Sequence, residues 1–406
     1  MVMVTLLLLS ILIVWFTSKP CVHPLLNTND QEVMDALAPQ QAAEGNHMVL
    51  ITDFNQMIDT MIADIDQAKD HVHVEFFKFE SDAVSQRLGA ALSRKAQEGV
   101  EARLMYDDLM TLSHHWYFAK LRKQGVETQG FGRLSLPLIH KRDNYRNHRK
   151  VIVIDGRVAY LGGMNIADRY SQGLSWGRWQ DTMTRIEGPA VAQLQKVFLS
   201  DWRYASGNLL VSPRYFPKLT HRGENSVEVL TSGPIGPGPD IMHKTIELLD
   251  NSKQYAYLES PYLIPTNEVM EALCRTAQRG VDVRILIPPR GDRGVLTPWA
   301  SRSFIDQALE AGIKVGFYKA GYLHTKSLVM DDKVAMTTSC NIDVRSYVLD
   351  LEVAAIATGG DYVAQAKAAF EADETSSEYL NLDDWRHRPW TNHIGEQLSR
   401  LLKNQL

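Results

Sequence analysis

The stretch NHRKVIVIDG, Asn147 to Gly156, opens with a histidine and a lysine two positions apart. It then runs through branched apolar residues into Asp-Gly. Alternate residues of a strand share a face, so His148 and Lys150 project together. Asp155 lies about 23 Å from His148 along an extended chain, too far to touch the same atom of a bound molecule. Asp155-Gly156 instead has the composition of a tight hairpin turn. The pattern returns as LHTKSLVMDD, Leu323 to Asp332, with His324, Lys326 and Asp331 in the same places. A single polar strand end would be unremarkable, but two in register call for a shared purpose.

Whole units repeat around the two stretches. HVHVEFFKF (His71–Phe79) reads as a strand, followed by a helix around Val84–Glu98, the strand VEARLMYDD and a helix around Trp116–Gln124. In the second copy YAYLESPYLIP (Tyr255–Pro265) is followed by a helix around Glu268–Arg279, VDVRILIPP and a helix around Ser303–Ala311. Gly99, Gly125, Gly280 and Gly312 close the four helices, a common position for glycine. Glu75 corresponds to Glu259. A duplicated α/β unit accounts for the order. The predicted fold is two α/β halves, residues 46–210 and 222–372, packed about a pseudo-two-fold axis, with mostly parallel sheets covered by helices. Residues 373–406 form a C-terminal extension, and TSGPIGPGPD (Thr231–Asp240) reads as a loop.

The 406 residues carry a formal net charge of -5, so a phosphate must be held by a local basic pocket rather than by bulk attraction. Cys21, Cys274 and Cys340 are too scattered for a disulfide framework or a zinc site. The N-terminal MVMVTLLLLSILIVWF is apolar apart from Thr5 and Ser10. It makes roughly 24 Å of helix. The first charge, Lys19, follows the apolar run, which favours a membrane anchor over residues 1–17 against a cleaved signal peptide. Trp15 suits an interfacial position. Residues 18–45 read as a tether.

If the chain folds back at Asp155-Gly156 and Asp331-Asp332, His148 falls opposite Gly163 and His324 opposite Ser339, with Asn165 and Asn341 just beyond. The small residues would leave room for a ligand. Two imidazoles, two ammonium groups and two carboxamides suit a phosphodiester: Lys and Asn meet non-bridging oxygens, one imidazole attacks phosphorus, and the other protonates the leaving oxygen. One imidazole cannot be nucleophile and acid at once, which explains the pairing. Asp155 and Asp331 are expected to be architectural, anchoring the turn or the contact between halves. A nucleophilic imidazole needs an acceptor at its other nitrogen. Asp181 follows His148 by 33 residues and Glu352 follows His324 by 28, so Asp181 is predicted to orient His148 and Glu352 to orient His324. The reading calls for no metal and no cofactor. His114 and His115 read as solvated.

At these residues the chain resembles the phospholipase D superfamily, whose signature His-x-Lys-x4-Asp is followed by an asparagine. More narrowly it resembles the bacterial cardiolipin synthases, through YRNHRKVIVIDGRVAYLGGMNIADRY, SPYLIP and LHTKSLVMDDKVAMTTSCNIDVRS. The likeness runs from about His47 to Trp390. It implies a catalytic set of His148, Lys150, Asp155, His324, Lys326 and Asp331, with Asn165 and Asn341 binding phosphate. The implied reaction is transfer of a phosphatidyl group between two phosphatidylglycerol molecules through a phosphohistidine, at a bacterial plasma membrane. His148 is the implied nucleophile and His324 the acid/base, an order that pseudo-symmetry leaves open. The chain departs from many relatives in its single apolar segment, in TTSCN before Asn341, and in Asp350 where Asn is common. Alternatives are a hydrolytic phospholipase D, whose site would be identical, a nuclease, and a non-catalytic lipid-binding protein. A chain of this charge gives a nuclease little help. The expected partners are phospholipids and a membrane, not nucleic acid, and oligomeric state is open. LSHHWYFAKL and GVLTPWASRSF are candidates for dipping into a membrane surface or packing inward. The spacing of Ile394, Leu398, Leu401 and Leu402 predicts a helix docked on the domain.

Overall fold

Duplication in sequence becomes duplication in wiring. In the first half β1 (Ala43–Ile51), β2 (His71–Phe76), β3 (Glu101–Asp107), β4 (Glu127–Phe131), β5 (Lys150–Ile154), β6 (Val158–Gly162) and β7 (Met183–Glu187) lie in the order β1-β7-β6-β5-β2-β3-β4. In the second, β8 (Asn225–Ser232), β9 (Tyr255–Glu259), β10 (Asp282–Ile287), β11 (Lys314–Tyr318), β12 (Ser327–Met330), β13 (Val334–Thr338) and β14 (Asp350–Thr358) lie in the order β8-β14-β13-β12-β9-β10-β11. The computed structural model describes residues 32, 35–36, 42–132, 144–235, 238–292, 294–400 and 403, with only the backbone of 390–393. The expected anchor and nearly all of the tether lie outside the described residues. Among the described residues no helix is long and apolar enough to cross a membrane.

The expectation of mostly parallel sheets is corrected. Within the two seven-strand sheets parallel pairing is confined to β2-β3-β4 and β9-β10-β11, whose strands are joined through helices. The other pairings of these seven-strand sheets are antiparallel, and β5–β6 and β12–β13 are joined by turns too short for a crossover.

The continuous Val/Ile character of β5 follows from burial on both faces. Ile152 and Ile154 join the outer core beneath the helices Phe54–Asp66, Ala83–Gln97 and His115–Lys123. Val151 and Val153 join a core between the halves, with Val329, Ala335 and Val353 of the second sheet. A matching outer core underlies the helices of the second half.

The halves meet through β1 and β8, which pair antiparallel and make the two sheets continuous. Asn46 and Asn225 are buried there, and each Nδ2 donates to the other's backbone carbonyl at 3.2 Å. Each Oδ1 accepts from the start of a helix of its own half, Asn46 from Ala190 N–H at 2.8 Å and Asn225 from Tyr362 N–H at 3.4 Å. This reciprocal exchange is what a local two-fold axis produces. β1 begins at Ala43, within the stretch read as tether.

The Asp155 carboxylate accepts from the backbone N–H groups of Lys69, Asp70 and His71 at 2.8, 2.8 and 2.9 Å. Asp331 does the same for Lys253, Gln254 and Tyr255 at 2.7, 2.8 and 3.0 Å. Each aspartate therefore ties its turn to the start of a strand in its own half, rather than to the other half. Asp155 and Asp331 adopt φ of 51° and 54°. The pairs Ile154↔Val158 and Met330↔Val334 leave three residues in each turn, so cross-strand partners shift by one from the expected register.

Two further expectations change. GVLTPWASRSF contains a helix, Leu296–Arg302, ahead of the helix Ile305–Glu310. The C-terminal helix Trp390–Arg400 does dock, but by its other face. Gly395 lies against Trp299, Glu396 pairs with Arg388 at 2.7 Å, and Arg400 donates to the Ser303 carbonyl at 3.2 Å. Ile394 and Leu398 face outward, 50% and 61% exposed, while Leu401 and Leu402 lie outside the described residues.

Replacing Asp155 with Ala is expected to lower stability by about 3 kcal/mol, since three backbone donors lose a charged acceptor. Asp155→Asn should cost less, because Asn tolerates the left-handed region. Urea midpoints measure both, and an unshifted midpoint for Asp155→Ala would remove the anchoring role.

Candidate active site

The site forms where each half reaches into the other. Arg146–Asn147 pairs in parallel with Asp350–Leu351, and the His148 N–H donates to the Leu351 carbonyl at 3.0 Å. Gly321–Leu323 pairs in parallel with Arg178–Gln180, and the His324 N–H donates to the Gln180 carbonyl at 2.6 Å. Each histidine thus arrives beside the segment of the opposite half that leads into a carboxylate. His148 Nδ1 lies 2.8 Å from Glu352 Oε1, and His324 Nδ1 lies 2.5 Å from Asp181 Oδ2.

The predicted partnership is therefore corrected: Glu352 orients His148 and Asp181 orients His324. Equal spacing within each half identified Asp181 and Glu352 as equivalent residues. It carried no information about which copy of the histidine each one faces. The role of the small residues is corrected as well. A Cβ on Gly163 would come within 2.2 Å of Asp181 Oδ1, and the Ser339 hydroxyl donates to Glu352 Oε2. They accommodate the carboxylates.

Lys150 and Lys326 are buried, and each ammonium donates to the backbone carbonyl of the histidine two residues before it. Lys326 Nζ also lies 2.9 Å from His324 Nδ1. Asn165 Oδ1 accepts from the Lys78 N–H at 3.1 Å. Asn341 Nδ2 donates to Ser346 Oγ at 3.2 Å, and its Oδ1 is buried without a hydrogen-bond partner. The carboxylates are fully enclosed, whereas His148 and His324 retain 8% and 9% exposure. The histidines are the most accessible members of the cluster.

Burial dominates the electrostatics. It pulls His148 well below the usual imidazole range, reinforced by Lys150. His324 is lowered well below that range too, first by burial and then by Lys326 and Lys150. Burial brings Lys150 down to about 7 and lowers Lys326. It raises Asp181 to about 6 and Glu352 to about 7, with the lysines opposing. Both lysines act on both imidazoles, so the six groups behave as one cluster. A neutral imidazole donating Nδ1–H to a carboxylate presents its Nε2 lone pair outward. Two such rings can attack phosphorus and shuttle a proton.

Asp155 and Asp331 sit at the far ends of their strands, away from the cluster. Among the described residues no group of three or more His, Cys, Asp or Glu is placed to hold a metal ion. His114 and His115 are half-buried rather than solvated, bonded to Ser81 at 2.9 Å and 3.2 Å from Asp108 respectively. Sequence reasoning missed Arg169, Trp179 and Arg345 beside the imidazoles. Arg169 and Arg345 could have been found, since each follows its asparagine by four residues.

The family model described as cardiolipin synthase, PLD-like domain, matches residues 61–202 and 245–374. The major cardiolipin synthase ClsA of Bacillus subtilis (strain 168) is 35% identical over 364 residues, 88% of this chain and 75% of its own length. A cardiolipin synthase of Geobacillus kaustophilus is 34% identical over 357 residues, 87% of this chain and 71% of its own. Among solved structures, phosphatidylserine synthase of Haemophilus influenzae Rd KW20 gives a TM-score of 0.70 at 14% identity, over 93% of this chain and 100% of its own. That likeness shows the fold.

Glu352→Gln is expected to perturb the ring 15N shifts of His148, and Asp181→Asn those of His324. Perturbation within the same half, in histidine-selective NMR spectra, would contradict the crossed pairing.

Proposed function

From the premise that the chain belongs to the PLD-like cardiolipin synthase family, we propose that it joins two phosphatidylglycerol molecules into cardiolipin and glycerol. The reading rests on one observation above all. Two imidazoles from opposite halves are each tied at Nδ1 by a carboxylate, at 2.8 and 2.5 Å, within a cluster holding two lysines. In the first step His148 Nε2 bonds to the phosphorus of one lipid as the P–O bond to its headgroup glycerol breaks. The bound phosphate anion favours the protonated ring of His324, and the departing oxygen takes the proton this ring then carries at Nε2. In the second step a headgroup hydroxyl of another lipid gives its proton back to His324. Its oxygen bonds to phosphorus as the P–Nε2 bond breaks. Lys150, Lys326, Asn165 and Asn341 face the non-bridging oxygens, where charge builds up.

His148 suits the nucleophile because Asp350 favours positive charge there against Lys150, Lys326 and Arg345, whereas at His324 the two lysines, His148 and Arg169 all oppose it. Hydrolysis would differ only in the accepting hydroxyl. Membrane association follows from the lipid substrates and the apolar residues 1–17. It is supported by Leu112, Trp116, Val295 and Leu296, which are exposed on segments leaving the C-terminal ends of β3 and β10. These are the same sheet ends that carry the site. The expected location is a bacterial plasma membrane.

Incubation with phosphatidylglycerol should yield cardiolipin and glycerol, resolved by lipid chromatography; phosphatidic acid alone would indicate a hydrolase. His148→Ala should lower the rate about 10³-fold or more. With labelled lipid, a denaturing quench of His324→Ala should leave phosphorus on His148; label on His324 in His148→Ala would reverse the order. Lys150 works as the protonated form, and burial holds it at about 7 in the free protein. Hence kcat/KM should fall as pH rises through that value. The profile of kcat should fall later, because bound phosphate favours the ammonium. Coincident alkaline limbs would contradict this account of Lys150.

A further inference from the structure

The two half-sites share a plan but differ in charge. Arg345 follows Asn341 by four residues and Asp350 precedes Glu352 by two; Arg169 and Trp179 hold the equivalent places. In the pair near His148 the arginine is neutralised. Arg345 reaches Asp350 at 2.9 and 3.1 Å and donates to Asn144 at 3.0 and 2.8 Å. Near His324 an indole replaces the carboxylate. Arg169 Cζ lies 5.3 Å from the Trp179 ring and 4.8 Å from the Tyr170 ring. Its Nη2 donates to the Tyr170 hydroxyl at 2.9 Å, and the nearest acid, Asp292, stands off at 3.9 Å. Arg169 Nε and Trp179 Nε1 are both buried without a hydrogen-bond partner. The Trp179 ring is 5.0 Å from the His324 ring, so the guanidinium is no farther from the imidazole than the two ring distances combined.

Two buried donors left unsatisfied beside a catalytic imidazole need an acceptor. The transfer reaction supplies one. It brings two phosphodiester anions together, and the lysine cluster faces only the phosphate that reacts. The second phosphate belongs to the accepting lipid and stays one glycerol away from the hydroxyl that His324 deprotonates. We propose that Arg169 and Trp179 form the subsite for this second phosphodiester, the unreacting phosphate of the accepting lipid. This rests on the transfer reading. Arginine suits the task through its planar, permanently charged fork, and indole Nε1 can donate only to an acceptor. The subsite gives the site a direction, with the donor lipid over His148 and the acceptor lipid over His324. It also favours a phosphorylated hydroxyl compound over water or free glycerol as the acceptor.

The test uses the full chain in detergent micelles containing phosphatidylglycerol, with labelled free glycerol added as a phosphate-free competitor. Both acceptors discharge the same phosphohistidine. Cardiolipin formed, divided by labelled glycerol exchanged into phosphatidylglycerol, therefore reports acceptor choice independently of folding and of the donor step. Arg169→Gln should lower that ratio about tenfold or more. Arg169→Lys should restore part of it, and Trp179→Phe, which keeps the ring stack, should lower it by a smaller factor. A ratio within twofold of wild type in Arg169→Gln, with cardiolipin made by the wild type, would overturn the subsite alone. A wild-type chain that makes no cardiolipin would overturn the transfer reading, and the subsite with it.

Discussion

The constraint on which the site depends is that neither half can orient its own histidine. Glu352 holds His148 and Asp181 holds His324 across the boundary, and parallel bridges at Arg146–Asn147 and Gly321–Leu323 deliver each ring to the other half's acid. These groups are almost wholly removed from water. Leaving a buried charge without its partner costs about 3–5 kcal/mol, so the crossed contacts also bind the halves to each other. Relative position of the halves and histidine tautomer are thereby set together.

Much of this was legible in the residues. The duplicated His-Lys strands, the intervening helices and the equivalence of Asp181 with Glu352 are periodic or repeated signals, and such signals survive in one dimension. The crossing was not legible, because a spacing counted within one copy is the same whichever copy the side chain faces. Sheet direction was misjudged at β5–β7 and β12–β14, where alternation with helices gives way to hairpins. β1 and β8 went unnoticed for a different reason: they carry mixed polar and apolar residues, and their partner strands are remote in sequence. The C-terminal helix shows the limit of helical spacing. Ile394 and Leu398 do share a face, but an exposed one, and Gly395, Glu396 and Arg400 make the described contacts.

Where the halves agree they build the scaffold; where they differ they bear on chemistry. Asp155 with Asp331 and Asn46 with Asn225 make matching hydrogen bonds in the two halves. Two buried acid pairs match as well, Glu75 beside Asp201 and Glu259 beside Asp373, in which burial, followed by the neighbouring carboxyl, lifts each glutamate well above its usual range. The differences cluster around the imidazoles: Gly163 against Ser339, Asp181 against Glu352, Trp179 against Asp350. The proposed two-step transfer needs one ring to bond phosphorus and the other to move a proton, and under that reading substitutions of this kind are what would assign unequal tasks to equivalent positions.

The β1–β8 seam has a consequence for biogenesis. β7, the last strand of the first sheet, ends at Glu187, and β8 ends at Ser232. At about 5–20 residues per second, ribosomal synthesis leaves β1 as an open margin for several seconds before its mate emerges. Unpaired margins recruit neighbouring polypeptides. The nascent first half therefore passes through an interval in which another nascent copy could occupy the place meant for β8, making crowded polysomes the hazardous setting for this architecture.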